Sequence, residues 1–243
     1  MKIALLGYGK MGKTIEQIAL QKGHNVVAKI DNEDDWKRLE NEVKQADVAI
    51  EFSTPQTVVE NITRCFDLNI PIVVGTTGWN EQKDDIFSSC KQRNKALFHA
   101  SNFSIGVNLF FELNKHLARV MRHYADYNVH IEETHHLQKL DKPSGTAISL
   151  AEDLIAEHPT KTSWTCDALP PTTPDTLNIQ AFRENEVFGI HNICYQSNED
   201  LIEIKHEAKS RQGFAKGAVL AAEWLVGKEG VFTMSDLLKP STP

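Results

Sequence analysis

Short apolar runs alternate with helix-period segments over the first hundred residues. The run from Lys2 to Leu6 predicts a buried strand, and apolar residues three or four apart from Met11 to Ala19 predict the helix that follows. Further strands are predicted at residues 26–30, 46–52, 70–74 and 96–100. Strands that alternate with helices in this way predict a parallel sheet covered on both faces.

The pattern changes beyond residue 104. Residues 107–124 are predicted to form a helix, and its apolar stripe contains Leu109, Phe110, Leu113, Leu117, Val120 and Met121. Alternating apolar and polar residues predict strands at 127–133, 176–182, 187–195 and 201–207. A helix is predicted at 146–157, and the proline-rich residues 159–175 are predicted to be a loop.

The sequence therefore predicts an α/β protein of two domains. A final amphipathic helix at residues 214–226 suits packing against the first part of the chain. Residues 1–104 and 214–243 are predicted to form a Rossmann dinucleotide-binding domain. Residues 105–213 are predicted to form an α+β domain with a mixed, largely antiparallel sheet.

Charge and histidine are concentrated in the second predicted domain. The 243 residues carry a net charge of −7, and residues 105–213 contain 10 basic and 16 acidic residues and eight of the ten histidines. A pI of about 5.8 argues against a nucleic-acid-binding surface. No apolar run reaches about 18 residues, so no transmembrane helix is expected. Four scattered cysteines without a C-x-x-C pair favour a reduced, cytoplasmic protein.

The segment Gly7-Tyr8-Gly9-Lys10-Met11-Gly12 fits the pattern G-x-G-x-x-G between a predicted strand and a predicted helix. In that context the first glycine permits a tight turn, the second lets the backbone approach a pyrophosphate, and the third lets helix and strand pack closely. The free N–H groups of the helix N-terminus attract phosphate. All six residues are therefore predicted to contact a dinucleotide.

The following strand ends at Asp31, 22 positions after Gly9, where a carboxylate commonly binds the adenosine ribose hydroxyls. A negative charge there favours NADH because it would repel a 2′-phosphate. Lys10 and Lys13 lie close in sequence and would tolerate that phosphate. The cofactor is therefore predicted to be NADH or NADPH.

Two small-residue segments follow later strands of the predicted parallel sheet, namely Gly75-Thr76-Thr77 and Ala100-Ser101-Asn102-Phe103. Ligands of such sheets bind beyond the carboxyl ends of the strands. Both segments are therefore predicted to contact the cofactor, and the alternative is that they are turns without a ligand.

A dense polar segment lies between the strand predicted at 127–133 and the helix predicted at 146–157. His135 and His136 have ordinary pKa values near neutrality, about 6.5, so either can exchange a proton at physiological pH. Gly145 and Thr146 stand at a helix N-terminus that can bind an anion, and Lys139 can add a positive charge or a proton. The segment predicts acid–base chemistry on a small anionic substrate. A passive surface is the alternative, and no metal is expected because no third ligand has a convincing spacing.

Several of these motifs, in this order, resemble one known family. They are residues 7–12, Gly75-Thr76-Thr77, residues 100–104, His135-His136 through Lys139 and Asp141 to Pro143-Ser144-Gly145-Thr146-Ala147, Arg183-Glu184, Gly189-Ile190-His191 and residues 206–211. Nearly the whole chain resembles the 4-hydroxy-tetrahydrodipicolinate reductase (dihydrodipicolinate reductase) family of lysine and diaminopimelate biosynthesis. One departure is His130, where the family signature usually has Glu.

The resemblance implies an enzyme that reduces a cyclic imine dicarboxylate to tetrahydrodipicolinate with NADH or NADPH. It implies that His135 donates or accepts a proton and that Lys139 is a second proton donor. It also implies that His136, Gly145 and Thr146 hold the substrate dicarboxylate. A homotetramer built through the sheets of the second domain is implied as well, with neither nucleic acid nor membrane as a partner.

Three other classes of protein stay open from the sequence. One is a different Rossmann reductase that acts on a sugar or a semialdehyde, although none of the four cysteines lies beside a base as a semialdehyde dehydrogenase would need. A second is a non-catalytic NAD sensor, which would not need the pair His135 and Lys139. A third is a cytoplasmic binding protein with the same fold.

Overall fold

The structure is a computed structural model and describes residues 1–167 and 173–239. The helices are α1 Lys10–Gln21, α2 Glu33–Val43, α3 Val58–Asp67, α4 Lys83–Gln92, α5 Ile105–Met121, α6 Gly145–Glu157, α7 Gln212–Leu225 and α8 Met234–Leu238. The strands are β1 Lys2–Leu6, β2 Asn25–Ile30, β3 Val48–Glu51, β4 Ile72–Val74, β5 Ala96–His99, β6 Asn128–His135, β7 Ser163–Cys166, β8 Thr176–Arg183, β9 Ile190–Gln196, β10 Leu201–Glu207 and β11 Gly230–Phe232.

The described strands form two sheets. The first has six strands in the order β11-β5-β4-β3-β1-β2, and every pairing in it is parallel. The second has five strands in the order β10-β9-β6-β8-β7. Its pairings divide evenly, since β10 with β9 and β9 with β6 are antiparallel, whereas β6 with β8 and β8 with β7 are parallel. The predicted combination of a Rossmann sheet and a mixed sheet is confirmed, but the second sheet is not largely antiparallel as predicted.

The chain divides into two compact units. The first contains Met1–Ile105 and the residues from Gln212 onward, and the second contains Gly106–Arg211. In the first unit, β11 extends the parallel sheet beside β5, and alanines on α7 are fully buried in the apolar core. We refer to these two parts as the N-terminal unit and the central unit.

Both faces of the parallel sheet are covered, as the apolar runs predict. Alternate residues of β1 enter different cores: Ile3 and Leu5 belong to one cluster, and Ala4 and Leu6 belong to the other. All four are completely buried. A strand buried on both faces has no polar alternation, which is why this part of the sequence reads as continuous apolar runs.

The central unit corrects two details of the sequence analysis. Helix α5 buries only part of its predicted stripe, because Phe110 and Met121 are buried whereas Leu109, Leu113 and Val120 are 55%, 49% and 44% exposed. The buried face includes Asn114 instead, whose Nδ2 donates a hydrogen bond to the carbonyl of Leu150 at 3.0 Å. A count of apolar residues alone misses a face that contains a buried amide. In the predicted loop 159–175, residues 163–166 form the edge strand β7, and residues 168–172 lie outside the described residues.

No helix in the described part of the chain combines the length and the apolar character needed to cross a membrane. All four cysteines are free thiols, and three of them are buried.

Candidate functional site

The turn between β1 and α1 is shaped by glycine. Gly7 has φ +89°, and a Cβ atom there would lie 2.2 Å from the carbonyl oxygen of Phe52. A Cβ atom on Gly12 would lie 2.3 Å from the carbonyl oxygen of Gly7. A larger residue in place of Gly7 would therefore push the turn away from β3. A larger residue in place of Gly12 would push α1 away from the turn.

Gly9, in contrast, borders open space. No atom lies within 4 Å of the position that a Cβ would take, and Gly9 is the N-cap of α1 without a side-chain capping bond. The N–H groups of the first turn are thus left to an outside acceptor. Room at Gly9 and an uncapped helix N-terminus fit the pyrophosphate of a dinucleotide.

Asp31 lies immediately after β2, and one of its carboxylate oxygens accepts a hydrogen bond from the N–H of Tyr8 at 2.9 Å. The carboxylate therefore lies beside the glycine turn, as its sequence position predicts. A cleft of about 160 Å³ is lined by Gly7, Asp31, Ser53, Asn61 and Arg64 among others. This cleft fits a ribose beside the turn, with Asp31 as the acceptor for its hydroxyls.

The side chain of Tyr8 is occupied by neighbours within the unit. Its hydroxyl bonds Glu16, and the ammonium group of Lys29 lies 4.9 Å from the ring centroid. Lys10 is exposed, and Met11 packs partly against the core. In this turn the backbone, rather than the side chains, is arranged for a ligand.

The other two predicted cofactor segments meet at the carboxyl edge of the same sheet. Thr76, Thr77, Ala100 and Ser101 line one cleft of about 160 Å³. Phe103 differs from them because its side chain is 2% exposed and packs within the core. Any contact between Phe103 and a cofactor would therefore run through its backbone. The Asn102 side chain accepts a hydrogen bond from the N–H of Ser104 at 2.9 Å and so shapes the turn.

In the central unit, the stretch from the last residue of β6 to the first turn of α6 carries every other predicted site residue. Helix α6 begins at Gly145, and the Ser144 hydroxyl caps it by accepting a hydrogen bond from the N–H of Ala147 at 3.2 Å. That bond leaves the N–H groups of Gly145 and Thr146 directed out of the helix end. Gly145 is exposed, and no atom lies within 4 Å of its would-be Cβ. This end of α6 has room for a carboxylate.

Lys139 and His135 lie in different surroundings. The Lys139 ammonium group pairs with Asp141 at 2.8 Å, and its side chain is 23% exposed. His135 is almost buried at 7% exposure. Gly189 makes room for the Nε2 edge of the His135 ring, since a Cβ there would lie only 3.0 Å from Nε2.

A buried carboxylate, Glu133, lies at the centre of these groups and is 0% exposed. Its Oε1 accepts a hydrogen bond from the N–H of Ser144 at 3.0 Å. Its Oε2 lies 3.4 Å from Nδ1 of His135 and 3.6 Å from Nε2 of His191. The cap of α6 and His135 are therefore held by the same carboxylate.

Arg183, at the end of β8, connects Glu133 to the segment that carries Lys139. Its guanidinium nitrogens lie 3.4 and 3.5 Å from Oε1 of Glu133. It also donates to the carbonyl oxygens of Lys139 at 3.3 Å and of Asp141 at 2.6 Å. A rigid guanidinium fork suits this task because it binds several acceptors in one plane.

Ser144, His191 and Glu133 do not form a hydrolase triad. The Ser144 hydroxyl lies 3.2 Å from Nε2 of His191, the same nitrogen that faces Glu133. A triad needs serine and acid on opposite ring nitrogens. A cation at Glu133, His135 and His191 is disfavoured as well, because the Arg183 guanidinium already occupies that carboxylate.

The pKa values in this cluster diverge. Burial lowers the pKa of His135 to about 4; Glu133 opposes this shift, while nearby positive charge including Lys139 and Arg183 adds to it. Burial alone would raise the pKa of Glu133, but its interactions with His191 and Ser144 outweigh burial and hold it at about 2. At neutral pH the cluster therefore contains an ionised Glu133 and a neutral His135.

His136 lies on the opposite side of the chain from His135, as expected for adjacent residues of an extended segment. It borders an open depression of about 710 Å³ whose lining also includes Val187, Phe188 and Arg211. The Arg211 guanidinium lies over the Phe188 ring, 5.7 Å from its centroid. This depression offers an arginine and a histidine to an anionic ligand within the central unit.

Sequence reasoning assigned no role to Glu133, Arg183, His191 or Ser144. A signal for Glu133 was present, because the buried positions of β6 alternate and a glutamate occupies one of them. A carboxylate on the apolar face of a strand requires a partner. Arg183 and His191 belong to motifs of the family resemblance, but their sequence positions do not indicate what they contact.

The fold and the glycine turn place the N-terminal unit among the Rossmann-type dinucleotide-binding domains. A family model described as the N-terminus of dihydrodipicolinate reductase matches residues 1–103, and one described as its C-terminus matches residues 106–238. The chain therefore belongs to the dihydrodipicolinate reductase family.

Individual relatives agree with this membership. The 4-hydroxy-tetrahydrodipicolinate reductase of Christiangramia forsetii is 50% identical over 238 residues, which are 98% of each chain. That of Rickettsia rickettsii is 35% identical over 95% of each chain. Among solved structures, dipicolinate-bound dihydrodipicolinate reductase from Paenisporosarcina sp. TG-14 matches with a TM-score of 0.79 at 22% identity, covering 96% of this chain and 97% of that one. Amine dehydrogenase from Mycobacterium smegmatis shares the fold with a TM-score of 0.61 at 9% identity, covering 100% of this chain and 97% of that one.

Proposed function

We propose that this protein is a 4-hydroxy-tetrahydrodipicolinate reductase. It reduces a cyclic imine dicarboxylate to tetrahydrodipicolinate with NADH or NADPH, in the diaminopimelate route to lysine. The observation that carries the proposal is the convergence on Glu133. One buried carboxylate contacts His135 and Ser144, the cap of α6, and Arg183 joins the Lys139 segment to the same point.

The α6 N-terminus and Lys139 suit a dianionic ring. Gly145 and Thr146 present N–H groups to one carboxylate, and His136 and the Lys139 ammonium group add hydrogen-bond donors. The local charge matters more than the acidic net charge of residues 105–213, because exposed charges more than about 8–10 Å away are largely screened. These residues hold the ring in a fixed orientation for attack.

The N-terminal unit binds the nicotinamide cofactor through the backbone of residues 7–12, with Asp31 on the ribose and residues 75–77 and 100–103 along the carboxyl edge of the sheet. When bound, the reduced nicotinamide supplies a hydride to a ring carbon conjugated with the imine. Lys139 supplies the proton that neutralises the negative charge displaced toward the imine nitrogen. The 4-hydroxyl group leaves as water together with a hydrogen of the neighbouring ring carbon, which gives the conjugated imine. Hydride and proton then account for the two hydrogens that this ring gains.

His135 could either donate or accept a proton, and its neutral ring favours the role of acceptor. With a pKa of about 4, His135 holds no extra proton at pH 7. Lys139 contributes to that lowered pKa, and in the substrate complex its ammonium group donates a hydrogen bond to the neutral imidazole, which orients it. Lys139 is then the proton source, and His135 directs it.

The test is oxidation of NADH and of NADPH, measured side by side, with freshly generated cyclic product of pyruvate and aspartate semialdehyde. We expect turnover by the wild-type protein. His135→Gln should lower kcat by about 100-fold, since acid–base groups contribute about 10²–10⁴-fold. Its Kd for NADH should change by less than about threefold, because the proposed cofactor residues lie outside this cluster.

Turnover by His135→Gln within about tenfold of wild type, a difference of about 1.4 kcal/mol, would contradict the role given to His135. The kcat profile should also lack an inflection near pH 6.5 that depends on His135, since burial lowers its pKa to about 4.

Assembly and location complete the proposal. The family resemblance supports a homotetramer formed through the sheets of the central unit, and the free thiols suit the cytoplasm. Light scattering on the purified protein measures the assembly, and a monomer at micromolar concentration would contradict it.

A further inference from the structure

One buried residue of the central unit contacts several groups of the site and has no chemical step in the reaction described above. Glu133 is fully buried on β6, on the same strand face as Val129 and Ile131. Burial of a carboxylate among apolar residues is strongly unfavourable unless every oxygen finds a partner. The contacts of its two oxygens therefore indicate what this residue does.

Oxygen Oε2 faces the His135 ring. Nδ1 of His135 lies 3.4 Å away, and both atoms are inaccessible to solvent. Neither atom has a hydrogen-bond partner among the described residues, and the 3.4 Å between them is the separation of an ion pair. An anionic oxygen beside a neutral ring favours the tautomer whose hydrogen is on the facing nitrogen. The pair therefore places hydrogen on Nδ1 and leaves the lone pair on Nε2.

Oxygen Oε1 holds the surrounding chain. It accepts from the N–H of Ser144, directly before the N–H groups of Gly145 and Thr146. It also neutralises Arg183, whose guanidinium donates to the carbonyls of Lys139 and Asp141. The orientation of the Lys139 segment and the start of α6 thus depend on the same atom.

The other groups facing His135 do not set its tautomer. From β9, His191 is in edge contact with the His135 ring, with 5.1 Å between the centroids. Arg183 on β8 and Lys139 after β6 are positive and disfavour a charged imidazole. Among the described neighbours, Glu133 is the acceptor that can select Nδ1–H.

We propose that Glu133 is the positioning residue of this site: its carboxylate fixes the His135 ring with hydrogen on Nδ1 and, through Arg183 and Ser144, holds the Lys139 segment and the α6 N-terminus. The tautomer is a property of the folded protein, whereas the effect on turnover rests on the proposed function. The two parts can therefore be measured separately.

The substitution Glu133→Gln keeps the side-chain shape and removes the charge. The matched control is Glu132→Gln on the same strand, because the Glu132 side chain is 38% exposed and lies 3.6 Å from His130 instead. Nitrogen-15 NMR of labelled histidine reports which ring nitrogen carries hydrogen, and the signals of His135 are identified by their loss in His135→Gln.

We expect Nδ1–H on His135 in the wild type and in Glu132→Gln. In Glu133→Gln the amide can donate to Nδ1, so the hydrogen should move to Nε2. In the same variant kcat should fall by about 100-fold, as expected when a catalytic histidine holds the wrong tautomer, with KM for NADH within about twofold. Glu132→Gln should keep the kcat of the wild type.

Hydrogen on Nε2 in the wild type, or a kcat for Glu133→Gln within about threefold of wild type, would overturn the proposal. A wild-type protein that shows the expected tautomer and no turnover would overturn the proposed function and leave the Glu133–His135 pairing supported. If Glu133→Gln does not fold, the wild-type spectrum decides the tautomer. Glu133→Asp then decides turnover, because its shorter carboxylate should lower kcat while KM for NADH stays unchanged.

Discussion

Among the described residues, each of the two units buries one glutamate completely, and the pKa values of the two carboxylates are displaced in opposite directions. At the end of β3, burial raises the pKa of Glu51 even though Ser53 donates hydrogen bonds to it. On β6, interactions with His191 and Ser144 outweigh burial and lower the pKa of Glu133 to about 2. The surroundings, rather than the depth of burial, decide the direction in which the pKa of each carboxylate moves.

The difference reflects two ways to build a binding site. In the N-terminal unit the cofactor turn depends on backbone shape, since Gly7 and Gly12 leave no room for a side chain. In the central unit the site depends on buried charge, with Glu133 and Arg183 at its centre. Buried charge therefore stabilises the central unit, whereas ionisation of the buried Glu51 destabilises the N-terminal unit.

The largest expected effect comes from removing the cation that faces Glu133. Arg183→Met should lower the free energy of unfolding by about 3 kcal/mol, because it leaves a buried carboxylate short of a partner. Denaturant unfolding at pH 7 measures this value. The control is Arg119→Met, whose exposed pairing with Glu157 at 3.3 Å should be worth less than about 1 kcal/mol. Equal losses in the two variants would show that buried charge does not organise the central unit.

A smaller effect tests the backbone shape of the N-terminal unit. Gly7→Ala should lower the free energy of unfolding by about 2 kcal/mol, since Gly7 has φ +89° and its Cβ would meet Phe52. Gly9→Ala should leave stability unchanged, since its φ of −75° suits alanine and no atom lies within 4 Å. The added methyl group should instead weaken NADH binding by about tenfold, because it occupies the space left for the pyrophosphate. Thermal unfolding and fluorescence titration with NADH separate the two results, and a Gly9→Ala variant that binds NADH normally would place the cofactor elsewhere.

The smallest effect concerns Glu51. The pKa of Glu51 is raised in the folded protein, so ionisation of Glu51 above that pKa lowers the free energy of unfolding. This loss of stability disappears once the pH falls below the pKa of Glu51 in the unfolded chain, about 4.5. Glu51→Gln should therefore stabilise the protein at pH 8 by about 1 kcal/mol and have no effect near pH 4.

Glu133→Gln should show the opposite sign at pH 8. A lowered pKa contributes stability above about pH 4.5 that is lost as the pH falls toward 2. Thermal unfolding across this pH range compares the two, with the exposed Glu81→Gln as a variant of no expected effect. The same sign for Glu51→Gln and Glu133→Gln would remove the contrast between the units.

The sequence predicted the N-terminal unit closely because its signals are local. Strand, glycine turn, helix and Asp31 follow one another within about thirty residues, and each reports on its own neighbours. The central unit was less predictable. The prediction misplaced part of the buried face of α5 because that face contains the amide of Asn114. It missed the edge strand β7 because this short strand lacks an apolar pattern.

The sequence by itself determined the two-domain α/β class, the dinucleotide turn and the polar segment around His135 and Lys139, since these depend on residue types a few positions apart. Only the tertiary structure placed Arg183, 50 positions from Glu133 along the chain, on that buried carboxylate. The pairing of β6 with β8 and β9 decides this meeting. Strand pairing between distant segments is fixed by the packing of the whole unit, and local residue patterns do not record it.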